Sequence, residues 1–578
     1  MTERLEWPHA EIRLSTPASV SDADGLVCIA RGTPEFPDAP GDAGQPTAAR
    51  WLALYRRHGV DAPGHVRGRF ALAIVDVRAR HVFLATDRFG THPWCYALRG
   101  ERLVVGDRAD LVADAGSAIR PDAVYSYLFH HMIPSPLTIF DDVSRLEGGH
   151  RLDWRGAAPD IQAWWRPVFS EPRQMDFAEA KARFLDIVEQ AVRRAARAGQ
   201  VGSFLSGGTD SSTVAGMLCK VLGEPAQTYS MGFDATGYDE MEYARIASKH
   251  FGTAHHEYYV TPDDLLEGIP KVACHYDQPF GNSSAVPAWL CASIARRDGI
   301  QTLLAGDGGD ELFGGNTRYA KQKVFGWYDQ VPAPLRAMLE PALALSISKQ
   351  LPVVRKAASY VDQARVPLPH RIHQYNLLVR LGADQVFTPD FLAQLDLDAP
   401  ARGHETVWQR IQAGSDLNRM LAFDWKYTLE DNDLPKILGT TELADMAVAF
   451  PLLDDALVDF SLDLPLDFKL RGFKLRWFFK EALRDFLPEA IITKKKHGFG
   501  LPFGVWACQH AGLRQLSGDT LASLKQRNII EPAFIDRVLN ELLPEHPGYY
   551  GELVWILMMM ELWMSRAGDR ADASTPAA

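Results

Sequence analysis

Residues 206–212 read Ser206-Gly207-Gly208-Thr209-Asp210-Ser211-Ser212, and the fold turns on them. An apolar run, 201–205, ends at Leu205 just before them, and residues 213–221 carry helical spacing just after. A strand that breaks into a glycine turn and then opens a helix is a cradle for phosphate. Backbone N–H groups at the helix start face the anion, and the helix dipole favours its charge. The two glycines let the main chain come close to the phosphate. The hydroxyls of Ser206, Ser211 and Ser212 add donors, and Asp210 suits a divalent cation. The spacing is not that of a Walker loop, which requires Gly-x-x-x-x-Gly-Lys followed by Ser or Thr. A serine–glycine turn on its own is as often plain structure, so a second motif has to decide.

That motif is Leu304-Ala305-Gly306-Asp307-Gly308-Gly309-Asp310-Glu311-Leu312-Phe313-Gly314-Gly315. It too follows apolar residues and is dense in glycine, with carboxylates embedded. Pyrophosphate and Mg²⁺ call for oxygen ligands on a tightly turning backbone, and Asp210 with Asp310 is the natural pair to hold the ion. Alone, such a loop is also an exposed turn or a calcium site. As a pair, each at a strand exit, the two loops resemble the synthetase domain of asparagine synthetases, β-lactam synthetases and lasso-peptide cyclases, which are ATP pyrophosphatases. Asp277-Gln278-Pro279 and Ser283-Ser284, between the loops, are similar to that family as well.

The surrounding pattern agrees with an α/β domain. Residues 175–198 form an amphipathic helix pattern with Phe184, Ile187, Val188, Ala191 and Val192 on its apolar face. Residues 228–233 read as a second parallel strand, 243–251 as a helix, and His255-His256-Glu257 as the lead of a third strand. Adjacent histidines on a strand point to opposite faces, so this pair reads as structural rather than metal-binding. Alternating strands and helices imply a parallel sheet with ligands at the strand C-termini. Beyond residue 320 the pattern is helical, clearest at 419–428 and 474–486.

Residues 1–165 are β-rich, with strands expected at 25–30, 69–77, 82–86 and 103–106 and a helix over 47–58. The stretches 68–76 and 84–93, with Met132-Ile133-Pro134-Ser135-Pro136, Thr138-Ile139-Phe140 and Gly148-Gly149-His150, resemble the second half of the glutaminase domain of class B asparagine synthetases. That domain uses a cysteine directly after the initiator Met. Here Thr2 stands there, and Ala30-Arg31-Gly32 replaces the Asn-Gly-Glu that grips glutamine. The expected fold is therefore a degenerate N-terminal-nucleophile-hydrolase-like β sandwich over 1–165, an ATP-pyrophosphatase domain with a helical C-terminal part over 170–566, and a disordered tail over 567–578.

The resemblance implies ATP and Mg²⁺ as cofactors. It implies ATP contacts from Leu205, Ser206, Gly207, Gly208, Thr209, Asp210, Ser211, Ser212, Met231, Gly306 and Gly308, with Asp210 and Asp310 on the metal. A lysine run such as Lys494-Lys495-Lys496 is usually a solvated face. However, Lys496-x-Gly-Phe matches the family position whose cation stabilises the adenylate. Asp307 lies where the family varies with substrate, and with Asp433 or Glu430 it is the candidate base or amine ligand, although a solvated acidic turn explains that cluster equally. Pro451-Leu452-Leu453-Asp454 matches the family, but Leu438-Gly439 and 447–449 lack the charged residues usual there, which argues against free aspartate as acceptor. The implied reaction adenylates a carboxylate and then joins it to an amine. The amine belongs either to a small-molecule or peptide substrate or to free ammonia.

Bulk properties narrow the setting. A net charge of −12 argues against nucleic-acid binding. No apolar run reaches membrane-spanning length, Glu561 interrupting the closest. The N-terminus lacks a signal-peptide core, and the six cysteines are scattered without metal-ligand spacing. A cytoplasmic protein, as a homodimer, is the expectation.

Overall fold

The computed structural model describes residues 3–38, 44–197, 199–329, 332, 334–335, 360–374, 376–495 and 500–573. The first domain stacks two sheets. One, five-stranded, runs in the order β1 (Glu3–Glu6), β2 (Ala10–Leu14), β8 (Arg102–Gly106), β7 (Cys95–Arg99), β9 (Ser144–Arg145). The other, six-stranded and antiparallel, runs β11 (Asp160–Ala163), β10 (His150–Trp154), β6 (His81–Thr86), β5 (Arg67–Asp76), β4 (Leu26–Glu35), β3 (Ser19–Ala23). Strand alternation explains the layers. Ala71, Ala73 and Val75 of β5 pack against Ile12, Trp94 and Val105 between the sheets. Phe70, Leu72 and Ile74 face the other way, onto Trp51 and Leu52 of the helix Thr47–His58. The strand expected at 25–30 runs on to Glu35, so Ala30-Arg31-Gly32 lies inside β4. At Gly32, φ is 90° and an added Cβ would stand 2.3 Å from the Arg69 carbonyl oxygen, so a side chain is excluded.

The second domain carries a five-stranded, all-parallel sheet in the order β14 (Ala254–Val260), β13 (Gln227–Phe233), β12 (Val201–Phe204), β15 (Thr302–Leu304), β16 (Ala447–Ala449). Chain order reverses between β12 and β15. An open α/β sheet binds its ligands at such a switch point, and there the two glycine loops leave the sheet side by side. The helix Phe177–Ala195 packs beside it, capped by Asp176 accepting from the Glu179 N–H, and buries Phe184, Val188, Ala191 and Val192. His255 and His256 are structural, bonding Thr228 Oγ1 at 3.0 Å and Gln227 Oε1 at 2.8 Å.

Three expectations need correction. Residues 474–486 are not one helix: Lys474–Leu475 pairs as a strand with Leu470–Arg471, Arg476 turns left-handed at φ 54°, and the helix is Trp477–Ala482. Residues 419–428 straddle an α-helix, Asp416–Asp424, and a π-helix, Trp425–Asp433, which leads into a further helix, Leu434–Leu443. The terminal helix Pro547–Ala573 continues through most of the expected tail, and 574–578 lie outside the described residues. This helix is core rather than membrane: its Glu561 is buried and accepts from Arg527 Nη2 at 3.0 Å. Among the described residues no helix is long and apolar enough to cross a membrane.

The domains share one core. Tyr127, on the first domain's helix Pro121–His130, donates to the Ile556 carbonyl at 2.8 Å, and both are buried in the same apolar cluster. Gly68 N–H donates to Asp455 at 2.7 Å, and Arg145 pairs with Asp277 at 2.5 Å.

Candidate active site

The heptad forms the start of a helix. β12 ends at Phe204, Leu205 is tied by its N–H to the Tyr229 carbonyl at 2.9 Å, and the helix Thr209–Leu222 begins with Gly208 as its N-cap. The first-turn N–H groups of such a helix have no partner within it and carry the positive end of its dipole. Gly207, at φ 68°, stands so near the helix Met241–Phe251 that a Cβ would lie 2.4 Å from the Ala244 nitrogen. The serines divide their work differently from expectation. Ser206 and Ser211 bond each other through their hydroxyls at 3.0 Å, and Ser211 also accepts from the Ser206 N–H at 3.1 Å. They brace the turn. Ser212 is fully buried, its hydroxyl without a hydrogen-bond partner among the described residues, so it is not a phosphate donor in this conformation.

The second loop leaves β15 against the first. A Cβ on Gly306 would meet the Ser211 nitrogen at 2.7 Å. A Cβ on Gly309 would meet Asp210 Oδ1 at 1.9 Å, and one on Gly308, at φ 101°, would strike Leu453. The loops thus bring Asp210 and Asp310 together, as their spacing predicts. What joins them is Arg476, which sequence reasoning missed. Its Nη1 donates to Asp210 Oδ2 at 2.8 Å and to Asp310 Oδ1 at 2.6 Å, and its Nη2 donates to Asp210 Oδ1. Burial works against the guanidinium's charge, but the two carboxylates outweigh it and hold its pKa above the ordinary arginine value. Lys480, one turn along the same helix, is pushed below the usual lysine value by burial and by Arg476.

The donor set fits Mg²⁺. All donor atoms of the pair are oxygen, and Mg²⁺ typically takes one or two carboxylates plus substrate phosphates and water, although the Arg476 guanidinium stands where the two carboxylates converge, so an ion there takes the place of some of its contacts. Among the described residues no group of three or more His, Cys, Asp or Glu is placed to hold a metal without such help.

Beside the loop stands a second charged group. Lys436 Nζ lies 2.9 Å from Asp433 and 4.0 Å from Asp307. Burial disfavours its charge, yet Asp433 and Asp307 hold its pKa above the ordinary value. Burial pushes Asp307 up to about 6, Lys436 opposing the shift and Asp433 adding to it. Glu430 does not belong to this group. It accepts from Lys426 at 2.7 Å, the Gly148 N–H at 2.9 Å and Ser135 at 3.1 Å, at the seam between domains. Met231 shares a small cavity of about 280 Å³ with Tyr229 and His256, away from the two loops. Lys496 and its neighbours 497–499, like Thr2, lie outside the described residues. Lys494 of the same run reaches the first loop, donating to the Gly207 carbonyl at 3.4 Å while paired with Glu240. Arg476 and Lys480 gave no signal in the sequence, because cations on an amphipathic segment look like any solvated face.

Comparison with known proteins agrees with this geometry. A profile of the asparagine synthase family matches residues 183–565, and one for a glutamine amidotransferase domain matches 49–165. An asparagine synthetase [glutamine-hydrolyzing] 1 of Bacillus subtilis is 24% identical over 533 residues, 89% of this chain and 80% of its own length. A putative asparagine synthetase of Mycobacterium tuberculosis is 27% identical over 529 residues, 89% of this chain and 78% of its own. Among solved structures, an NMN synthetase from Francisella tularensis overlaps 36% of this chain and 96% of its own with a TM-score of 0.20 and 14% identity, too slight a likeness to carry weight. The chain belongs to the asparagine synthase family and is an ATP-dependent ligase that forms C–N bonds, yielding AMP and pyrophosphate.

Proposed function

We propose that this ligase adenylates a small-molecule or peptide carboxylate and joins it to an amine carried by a substrate, without hydrolysing glutamine. In this it is like β-lactam synthetases and lasso-peptide cyclases, and it serves specialised biosynthesis. The observation that carries the reading is the state of the first domain's cysteines. Cys28 and Cys95 are both fully buried, and burial pushes the Cys95 thiol up to about 12 and that of Cys28 higher still. A thiolate nucleophile needs access as well as a cation, and neither thiol is accessible, although Arg145 lies beside Cys95. Arg31, with its backbone inside β4, stands where a glutamine-gripping residue is expected and points at Asp107.

The chemistry follows from the second domain. A carboxylate oxygen bonds to the α-phosphorus of ATP, the bond to the β-phosphate breaks, and pyrophosphate departs into the cradle of 206–212. The amine nitrogen then attacks the acyl carbon, the bond to AMP breaks, and the nitrogen gives up a proton. Asp307, with a pKa near 6, is ionised at neutral pH and able to take that proton. Lys436, itself paired with Asp433 at 2.9 Å, stands 4.0 Å from it. Asp210 and Asp310 would hold Mg²⁺, which when bound neutralises charge on the departing phosphates. Arg476, Lys480 and Lys494 add fixed positive charge at the same place.

Glutamate release from glutamine tests the claim, measured with and without ATP. The reading predicts none above the protein-free rate. Release that tracks ATP consumption, and disappears in Cys95→Ala, would overturn it.

A further inference from the structure

Between the domains lies a cavity of about 700 Å³, within the range of sites that enclose small molecules and at the place such sites favour. One wall is the first domain, with Arg31, Arg69 and His92. The opposite wall is the edge strand β16 and the helix Leu434–Leu443. Ala447 and Ala449 point into the space, because Val448 between them turns into the core.

The polar groups of this cavity are unevenly matched. Arg69 donates to the Val448 carbonyl and, at 3.3 Å, to Thr91, covering the open edge of the sheet. Arg31 Nη2 donates to Thr16 at 2.6 Å, but its Nη1 is buried without a hydrogen-bond partner among the described residues, with Asp107 at 3.3 Å off line. Asp107 itself is occupied by Ser15, whose N–H and hydroxyl donate to it at 2.9 Å each. Across the space, Glu442 is exposed although it stands between the domains, and it lines the cavity. Among the described residues its carboxylate has no hydrogen bond and no cation within 4 Å. Arg31 and Glu442 thus line one cavity, further apart than an ion pair, which leaves room for a ligand's polar groups.

His92 is held neutral by burial and by Arg69 and Arg31, so it adds no charge. At the far end, Leu453 lines the cavity and packs on Gly308, so one side chain separates this space from the loop bearing Asp307.

We infer that this cavity is the seat of the amine substrate, and that the substrate is an aminocarboxylate: its anionic group meets Arg31, and its ammonium meets Glu442. The inference rests on the ligase reading above. A volume of this size is far more than ammonia needs, and a cation and a carboxylate facing each other across it match a ligand bearing both charges. Movement of Leu453 then opens the way to the acyl-adenylate.

Calorimetric titration of the full chain without ATP tests it, using the ω-amino acids from 4-aminobutanoate to 8-aminooctanoate and the matching alkylamines from butylamine to octylamine. At least one ω-amino acid is expected to bind saturably, and at least tenfold more tightly than its alkylamine. Arg31→Gln and the isosteric Glu442→Gln should each weaken it about tenfold, the scale of one lost charged hydrogen bond. Ala447→Trp, which fills the cavity from an exposed position, should abolish it, with thermal melting confirming that each variant is folded. No saturable binding by any ω-amino acid, or binding unchanged in Glu442→Gln and Ala447→Trp, overturns the inference. ATP–pyrophosphate exchange, which depends on the two phosphate loops and not on this cavity, is run in parallel. Exchange without ω-amino acid binding removes this inference and leaves the ligase reading standing, whereas loss of exchange removes that reading.

Discussion

Arg476 holds together two carboxylates that repel each other, and it does so from a left-handed backbone position that few arginines adopt. Such outliers cluster where function constrains the chain. Arg476→Gln removes the fixed charge that joins the two phosphate loops and, on the proposed reading, should slow ATP–pyrophosphate exchange by about 10²–10³, the range for loss of one preorganised donor. A change below threefold would show that Arg476 only braces the loops. Asp307 makes a prediction in pH. Its carboxyl must be ionised to accept a proton and its pKa is near 6, so amide formation should rise tenfold per pH unit below about 6 and level off above. Asp307→Asn should be slower and lack that inflection. At this scale the sequence shows residues that sit in motifs: Asp210, Asp310 and Asp307 were legible because glycine loops announce them. Glu430 was misplaced beside Asp433. Three residues apart in sequence says little when a π-helix sets the register, and only the structure shows Glu430 facing Lys426 and Asp433 facing Lys436.

The helices and strands differ in how far they could be read. β12, β13 and the helix Phe177–Ala195 were legible because their apolar patterns are strong. β16 was not: three residues of small side chains become a strand only because β15 and Arg69 lie on either side. The short helices beyond residue 360 pack on several sides and lose the period that marks a one-sided helix. Three of these elements meet at a histidine cluster. His130, His373 and His404 pack on one another and on Tyr427, with His373 and His404 stacked at 4.2 Å. Burial lowers all three, His373 to about 4 and His404, with His373 beside it, to about 2. In the unfolded chain they titrate near 6.5, so below that pH the unfolded state takes up protons that the folded state does not. Stability is therefore full above about pH 6.5 and declines as pH falls toward 4, by about 1.4 kcal/mol per histidine per unit. Thermal melting between pH 7.5 and 5 should show this slope, and His404→Phe should flatten it. An unchanged slope would place the acid sensitivity elsewhere.

The whole molecule is two domains fused through buried charge and a shared core. Arg145 bonds Asp277, which also accepts from the Ala109 N–H at 2.7 Å, while Arg145 Nε is buried with no hydrogen-bond partner among the described residues, so the seam holds a buried ion pair. Breaking such a pair from one side strands the other charge, and Arg145→Met should destabilise the chain by about 3–5 kcal/mol. A denaturation midpoint within error of the parent protein would show that the seam is solvated. The second domain was legible from two loops and the strands before them, because a phosphate cradle at a sheet switch point leaves little freedom. The first was half legible: its strands alternate clearly from residue 67 onward, but β1, β2 and β3 are short and carry Glu, Arg, Ser and Asp, so their pattern resembles a surface loop. The cavity between the domains had no sequence signature, since it arises from walls hundreds of residues apart. The central claim, carboxylate adenylation without glutamine hydrolysis, is tested most directly by ATP–pyrophosphate exchange over a panel of carboxylates, each with and without ammonia, glutamine or an aminocarboxylate. The account predicts exchange that requires one particular acid and disappears in Asp210→Asn, with amide product formed in the absence of ammonia and glutamine. Product that appears only with ammonia or glutamine, or exchange that survives Asp210→Asn, would contradict it.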